Sequence, residues 1–236
     1  MNITFLYHSS FLVELSGCTL LFDWYGGPVP DYDRSKPLYV FTSHHHGDHY
    51  APEIFAQLGM DNVWYVLANC IRLSAKRKAA LGIDDSHVFR LAAGRHLSLG
   101  GLDIQTYRST DAGVAFLVEV EGKTIFHAGD LHWWHWAEED AAWNQAMERD
   151  FKKECAKLQG KPVDVGFFVL DPRQEGEFWW GFDWWMRTME VKHAFPMHSW
   201  EDYTLVQTLR TLPCSAPYRD RVVEVSGKGQ VFSWED

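Results

Sequence analysis

Ser43-His44-His45-His46-Gly47-Asp48-His49 sets imidazoles and a carboxylate at alternating and adjacent positions, directly after the apolar run Leu38 to Thr42. Imidazole and carboxylate together suit zinc and other first-row metals. A loop leaving a strand can aim alternate side chains at one ion and the intervening ones at a second, and Gly47 lets the backbone bend tightly between them. Several imidazoles crowded together are relieved by a metal, which weighs against the alternative of an idle, solvated polar loop. His45 falls outside the alternating ligand set; substrate contact or proton relay stands as the lesser alternative to no role in the site.

The elements that must position this loop alternate between strand and helix patterns. Ile3 to Tyr7, Phe11 to Leu15 and Thr19 to Phe22 read as a meander, with a turn at Ser16-Gly17 and a loop through Gly26, Gly27, Pro28 and Pro30. A helix is expected from Pro52 to about Leu58, a strand at Val63 to Leu67, and a helix from Asn69, as its cap, to Leu81. Strands follow around Val88, Ile104 and Val114 to Val120, the last turning at Glu121-Gly122 into Thr124 to Phe126. Trp143, Met147, Phe151 and Cys155 recur at i+4 spacing and predict a long helix from Trp136 to Leu158. Val163 to Leu170 and His193 to Met197 read as strands, and Phe178 to Glu190 and Tyr203 to Leu212 as helices. Val222 to Val225 and Gln230 to Trp234 read as closing strands. Two such runs predict two packed sheets with helices outside, in a single domain over residues 1–236.

The chain of 236 residues is 46% hydrophobic and 23% charged, the balance of a globular protein with an adequate core. No apolar run reaches ~18 residues, so no transmembrane helix is expected. The opening MNITFLYHSS has neither the basic leader nor the cleavage site of a signal peptide. Cys18, Cys70, Cys155 and Cys214 form no CxxC pair, and reduced thiols in the cytoplasm are expected. A formal net charge of −10 argues against nucleic acid and anionic membranes as partners. A small-molecule substrate is the expected partner, with a homo-oligomer left open by the abundance of aromatics.

His44-x-His46-x-Asp48-His49 after an apolar strand resembles the signature of the metallo-β-lactamase superfamily. Phe126-His127-Ala128-Gly129-Asp130 resembles the later strand that supplies a bridging aspartate, and Phe195-Pro196-Met197-His198 the last strand, which supplies a histidine. His8-Ser9-Ser10-Phe11-Leu12-Val13-Glu14 and Leu21-Phe22-Asp23 resemble the opening of the branch that includes ascorbate-6-phosphate lactonase-like and related hydrolases. The resemblance covers nearly the whole chain. Its His/Asp motif is specific, and the other segments count by order and spacing. It implies an α/β fold of the metallo-β-lactamase type, a four-layer αββα sandwich. It also implies one or two divalent metal ions, zinc first, with manganese or iron as alternatives. His44 and His46 would bind the first, Asp48, His49 and His198 the second, and Asp130 would bridge them. The activity implied is hydrolysis of an ester, lactone or phosphoester bond of a small molecule by a metal-bound hydroxide, with Asp48 also relaying protons.

One position departs from the pattern. The family usually supplies a third histidine to the first metal, and the corresponding stretch Thr106 to Gly113 has none. Asp111 is the nearest oxygen ligand there, against a plain turn role, and a carboxylate in place of imidazole favours harder metals. Asp23 is expected to support a metal-bound histidine. His8 resembles a residue lining the site, a catalytic candidate, against a half-buried structural role. His127 is expected to point away, and His132 and His135 are not expected as ligands. At least one of Trp133, Trp134, Trp179 and Trp180 is expected to face substrate. Arg108 and Arg173 are candidates for anion recognition, against surface roles. Two other functions stay open: a degenerate domain binding metal or metabolite without turnover, and di-iron oxygen reduction, which His46 and the lack of a flavin domain disfavour.

Overall fold

Leu38–Thr42 (β4) is buried at every position, the pattern of an interior parallel strand. The computed structural model describes residues 1–234, which divide into a first unit of residues 1–92 with the segment from 228, and a second of residues 93–227. In the first unit β4 pairs in parallel with Thr19–Phe22 (β3) and Val63–Ala68 (β5), and β5 with Val88–Leu91 (β6). Asn2–Tyr7 (β1), Ser10–Glu14 (β2) and β3 form the antiparallel meander read from the sequence, and Val231–Ser233 (β13) closes the edge beside β1.

Ile54–Leu58 (α1) lays Ile54, Phe55 and Leu58 on the cluster formed by Leu38, Val40 and Tyr65, with the Phe55 and Tyr65 rings 4.4 Å apart. The helix expected from Asn69 is shorter. Asn69 N–H bonds to Leu91 O at 2.9 Å, prolonging the pairing of β5 with β6, and Ile71 is buried. Helix Ala75–Ala80 (α2) therefore starts only where Ser74 accepts Arg77 N–H.

The second unit holds a sheet in the order β12-β11-β10-β9-β8-β7, built from His96–Leu99 (β7), Leu102–Arg108 (β8), Val114–Val120 (β9), Lys123–His127 (β10), Pro162–Val169 (β11) and Glu190–Met197 (β12). From β7 to β10 the pairing is antiparallel, and from β10 to β12 it is parallel. Glu121 and Gly122 both have positive φ (50° and 73°), as a two-residue hairpin between β9 and β10 requires.

Ala141–Cys155 (α3) is shorter than the expected Trp136 to Leu158. Asp140 caps it by accepting Trp143 N–H at 2.7 Å, and Asn144 takes both the N–H and the carbonyl of Trp136, folding that segment back across the first turn. Residues 156–158 finish the helix as a 3-10 turn. Trp180–Thr188 (α4) and Thr204–Thr211 (α5) lie within their expected spans. The strand expected at Val222 to Val225 reduces to a single bridge between Val222 and Ala194. In contrast, β7 was not expected; His96-Leu97-Ser98-Leu99 alternates, but over only four residues with two apolar positions.

Gly181 of α4 lies against the His132 ring, where an added Cβ would stand 2.3 Å from Cε1 and 2.4 Å from Nδ1. The ring cannot swing aside, because its Nε2 is tied to Gln174 Oε1 at 2.7 Å. Gly181→Ala is expected to cost about 1–3 kcal/mol through overpacking. The readout is a lower urea midpoint at unchanged slope; an unchanged midpoint would show that α4 moves away freely.

Candidate metal centre

Asp23 follows β3 with its carboxylate 1% exposed and its backbone at φ 43°. It accepts Ser43 N–H at 2.7 Å, the Ser43 hydroxyl at 2.6 Å and His49 Nδ1 at 2.8 Å. These bonds fix the start of the histidine loop. A hydroxyl has one proton, and Ser43 gives its proton to Asp23. Its contact with His44 Nδ1 at 2.9 Å therefore accepts the ring proton. His44 and His49 are thus both protonated at Nδ1 and carry the basic lone pair on Nε2, the state a metal ligand needs.

Within the first unit, His44 Nε2 lies 3.1 Å from His46 Nδ1. Two donors about 2.0–2.1 Å from one tetrahedral ion are about 3.3–3.4 Å apart, so this pair fits a shared metal. His8, at φ 48° and buried, places Nε2 3.4 Å from Asp48 Oδ2, and these atoms lie within 4.8 Å of a His49 ring nitrogen. His8 Nε2 thus lies beside Asp48 and His49, among atoms that could hold an ion. His45 is exposed, with its ring 4.9 Å from that of His46.

The second unit repeats the arrangement at the ends of its parallel strands. His198 follows β12 at φ 66°, and its Nδ1 donates to Asp171 Oδ2 at 2.8 Å, which leaves Nε2 as the coordinating nitrogen. Nε2 stands 3.6 Å from Oδ1 of Asp130, which follows β10. Asp111 and Asp130 each bring a carboxylate oxygen within 4.8 Å of the other. Thr110 ties the two loops together, donating to His132 O at 2.6 Å and accepting His132 N–H at 3.0 Å. Asp111 is exposed, whereas Asp130 is 4% exposed.

Asp171 belongs to no motif in the sequence, yet it joins His198 in the site. Burial opposes its ionisation, but the bonds from His198 and Arg173 outweigh that and hold its carboxyl well below the usual range. Arg173 Nε reaches both oxygens at 3.0 Å and Nη2 reaches Oδ2 at 2.6 Å. Its guanidinium stacks over Trp136 at 5.5 Å and Trp200 at 4.7 Å. That commitment makes Arg173 a brace for Asp171. The only sequence signal was its place after an apolar strand, as for Asp23.

Among the tryptophans, Trp134 donates Nε1 to Asp130 O at 3.1 Å and sets its ring 5.6 Å from His198. Trp133 packs instead with Trp180 and Trp184, with Lys152 over its face at 4.3 Å. His132 is wholly buried and its pKa is pushed down to about 4 by that burial, so it is neutral and structural. His127 is buried and accepts Gly129 N–H on Nδ1 at 3.1 Å.

Asp23→Asn and Asp171→Asn each remove the charge that orients one histidine. Each is expected to weaken zinc binding about ten- to a hundredfold, measured by competition with a chromogenic chelator while circular dichroism stays unchanged. Affinity equal to wild type in both would show that these histidines are not ligands.

Residues 2–144 match the family described as the beta-lactamase superfamily domain. A metal-dependent hydrolase of Desulforamulus reducens is 33% identical over 141 residues, 55% of this chain and 62% of that protein's length. A metal-dependent hydrolase of Pyrococcus furiosus is 27% identical over 219 residues, 84% of each chain. Among solved structures, a metallo hydrolase from the archaeon Ignicoccus hospitalis superposes with a TM-score of 0.61 at 14% identity, covering 99% of both chains, and shows the same fold. The chain thus spans less than two thirds of the Desulforamulus relative.

Proposed function

We propose, starting from a chain that belongs to the beta-lactamase superfamily, that it hydrolyses an ester, lactone or phosphoester bond of a small molecule with one or two divalent metal ions. The supporting observation is the pair of buried carboxylate–imidazole contacts, Asp23 with His49 and Asp171 with His198, each 2.8 Å long. Both rings are held in the tautomer that offers Nε2, the arrangement metal-ligating histidines commonly have.

In this reading His44, His46 and Asp111 serve a first metal, Asp48, His49 and His198 a second, and Asp130 is shared. His8 stands beside the second set, with its Nε2 left to handle protons. Zinc fits the imidazoles, and the carboxylate of Asp111 moves the first position towards manganese or iron(II). When bound, the metal would lower the pKa of water towards ~7 and polarise the oxygen under attack. The chain's own residues do the rest. Asp48 Oδ2 and His8 Nε2, 3.4 Å apart, can pass a proton between them, so that one takes it from the nucleophile and returns it to the leaving group. Ser43 and Asp23 keep His44 and His49 from rotating. Trp134 walls one side of His198 and limits access of bulk water. The lactonase-like opening His8 to Glu14 favours a lactone or a related ester as the reacting bond.

Elemental mass spectrometry on the purified protein tests the metal reading. About two metal ions per chain are expected, falling to about one in Asp111→Ala. A screen of nitrophenyl esters, lactones and phosphodiesters should show hydrolysis that a chelator abolishes and zinc or manganese restores, with Asp48→Asn slower by about a hundredfold or more. A protein that retains no metal after reconstitution, or whose hydrolysis ignores the chelator, overturns the proposal.

A further inference from the structure

Arg108 ends β8, and Lys153 lies one face along from Trp143, Met147 and Asp150 on α3. Spacings of four, three and three residues put these α3 side chains on one stripe of the helix. The stripe and the Arg108 to Asp111 loop are the walls of one cleft of about 220 Å³. Glu154 staples the walls together by accepting Arg108 N–H at 3.3 Å.

The lining carries two cations, Arg108 and Lys153, and three carboxylates, Asp111, Asp150 and Glu154, and the carboxylates have partners outside the cleft. Glu154 is matched by Lys157, whose Nζ lies 2.6 and 2.7 Å from its two oxygens. Asp150 faces Arg149 at 3.7 Å. Asp111 is matched by the metal, a statement that rests on the reading above. Neither the Arg108 guanidinium nor the Lys153 ammonium has an ion-pair partner among the described residues. Two uncompensated cations thus share a concave site on a chain of net charge −10. Exposed cations on a helix are ordinarily just solvated. These differ by lining a cleft whose two walls are the Arg108 to Asp111 loop and the α3 stripe that carries Trp143 and Met147.

We propose that this cleft is the specificity subsite of the centre: Arg108 and Lys153 bind an anionic group of the substrate, a phosphate or a carboxylate. A short apolar stem then lies on Trp143 and Met147. Pockets for drug-sized ligands run to about 300–1,000 Å³, so this one takes a single charged group and its stem. A planar guanidinium and a point-like ammonium lining one cleft suit an oxyanion with at least two oxygens. The substrate therefore carries an anion at one end and its scissile bond at the end nearer Asp111.

Phenylphosphonate and benzoate, with neutral benzyl alcohol as control, test this by titration calorimetry on metal-loaded and chelator-stripped protein. One or both anions should bind wild type, and benzyl alcohol should not. Arg108→Ala and Lys153→Glu should each weaken binding about tenfold or more. In stripped protein the Asp111 carboxylate loses the metal's counter-charge, so binding weakens overall, but the ratio of wild type to variant persists. Preference for phenylphosphonate identifies a phosphate ester or phosphonate, and preference for benzoate a carboxylate. Equal binding by wild type and variants, or binding that vanishes with the metal and ignores both substitutions, overturns the subsite. Metal content of the variants should match wild type; if no protein holds metal while the variants still lose the anion, the hydrolase reading fails and the anion site stands.

Discussion

A carboxylate buried to about one hundredth of its exposed area must be surrounded by donors or give up its charge, and Asp23 sets the first unit accordingly. Its partners, Ser43 N–H, the Ser43 hydroxyl and His49 Nδ1, lie on a single short segment twenty to twenty-six residues away. Breaking any of them would strand a buried charge, which costs far more than an exposed bond returns. The histidine loop consequently has one shape. Asp171 imposes the same condition in the second unit, with His198, Arg173 and Trp200 as its donors.

Both carboxylates arrive by the same route. Asp23 and His44 follow the neighbouring parallel strands β3 and β4, and Asp130, Asp171 and His198 follow the neighbouring parallel strands β10, β11 and β12. Parallel pairing aligns the carboxyl ends of adjacent strands, so groups placed just after them are gathered at one edge of the sheet. The chain then turns sharply. His8, Asp23 and His198 all sit at positive φ, where residues other than glycine are uncommon. Such backbone persists when its surroundings over-determine it, and it collects at working sites.

Much of this was legible in the sequence where the signal is local. The His44 to His49 spacing, the Glu121-Gly122 hairpin and the buried run of β4 each concern residues a few positions apart. The start of α2 and the extent of α3 were misjudged because apolar spacing says nothing about where a backbone N–H finds its partner. Asn69 bonds across to Leu91, and Asn144 reaches back to Trp136. The link from Asp171 to His198 spans 27 residues, and only folding reveals it. Asp111 was singled out through the absence of a histidine, and the structure sets its carboxylate near that of Asp130.

The helical wall of the cleft and the buried donors have separate origins. Strand ladders fix where Asp130 and His198 stand, whereas the α3 stripe of Trp143, Met147, Asp150 and Lys153 belongs to a helix joined to β8 by the Glu154 contact. Side chains on that stripe can therefore be exchanged without moving a ladder bond or a buried carboxylate. Inheritance could keep the reactive machinery constant while the reactant it accepts drifts, and paralogues of this chain would diverge first along one face of one helix.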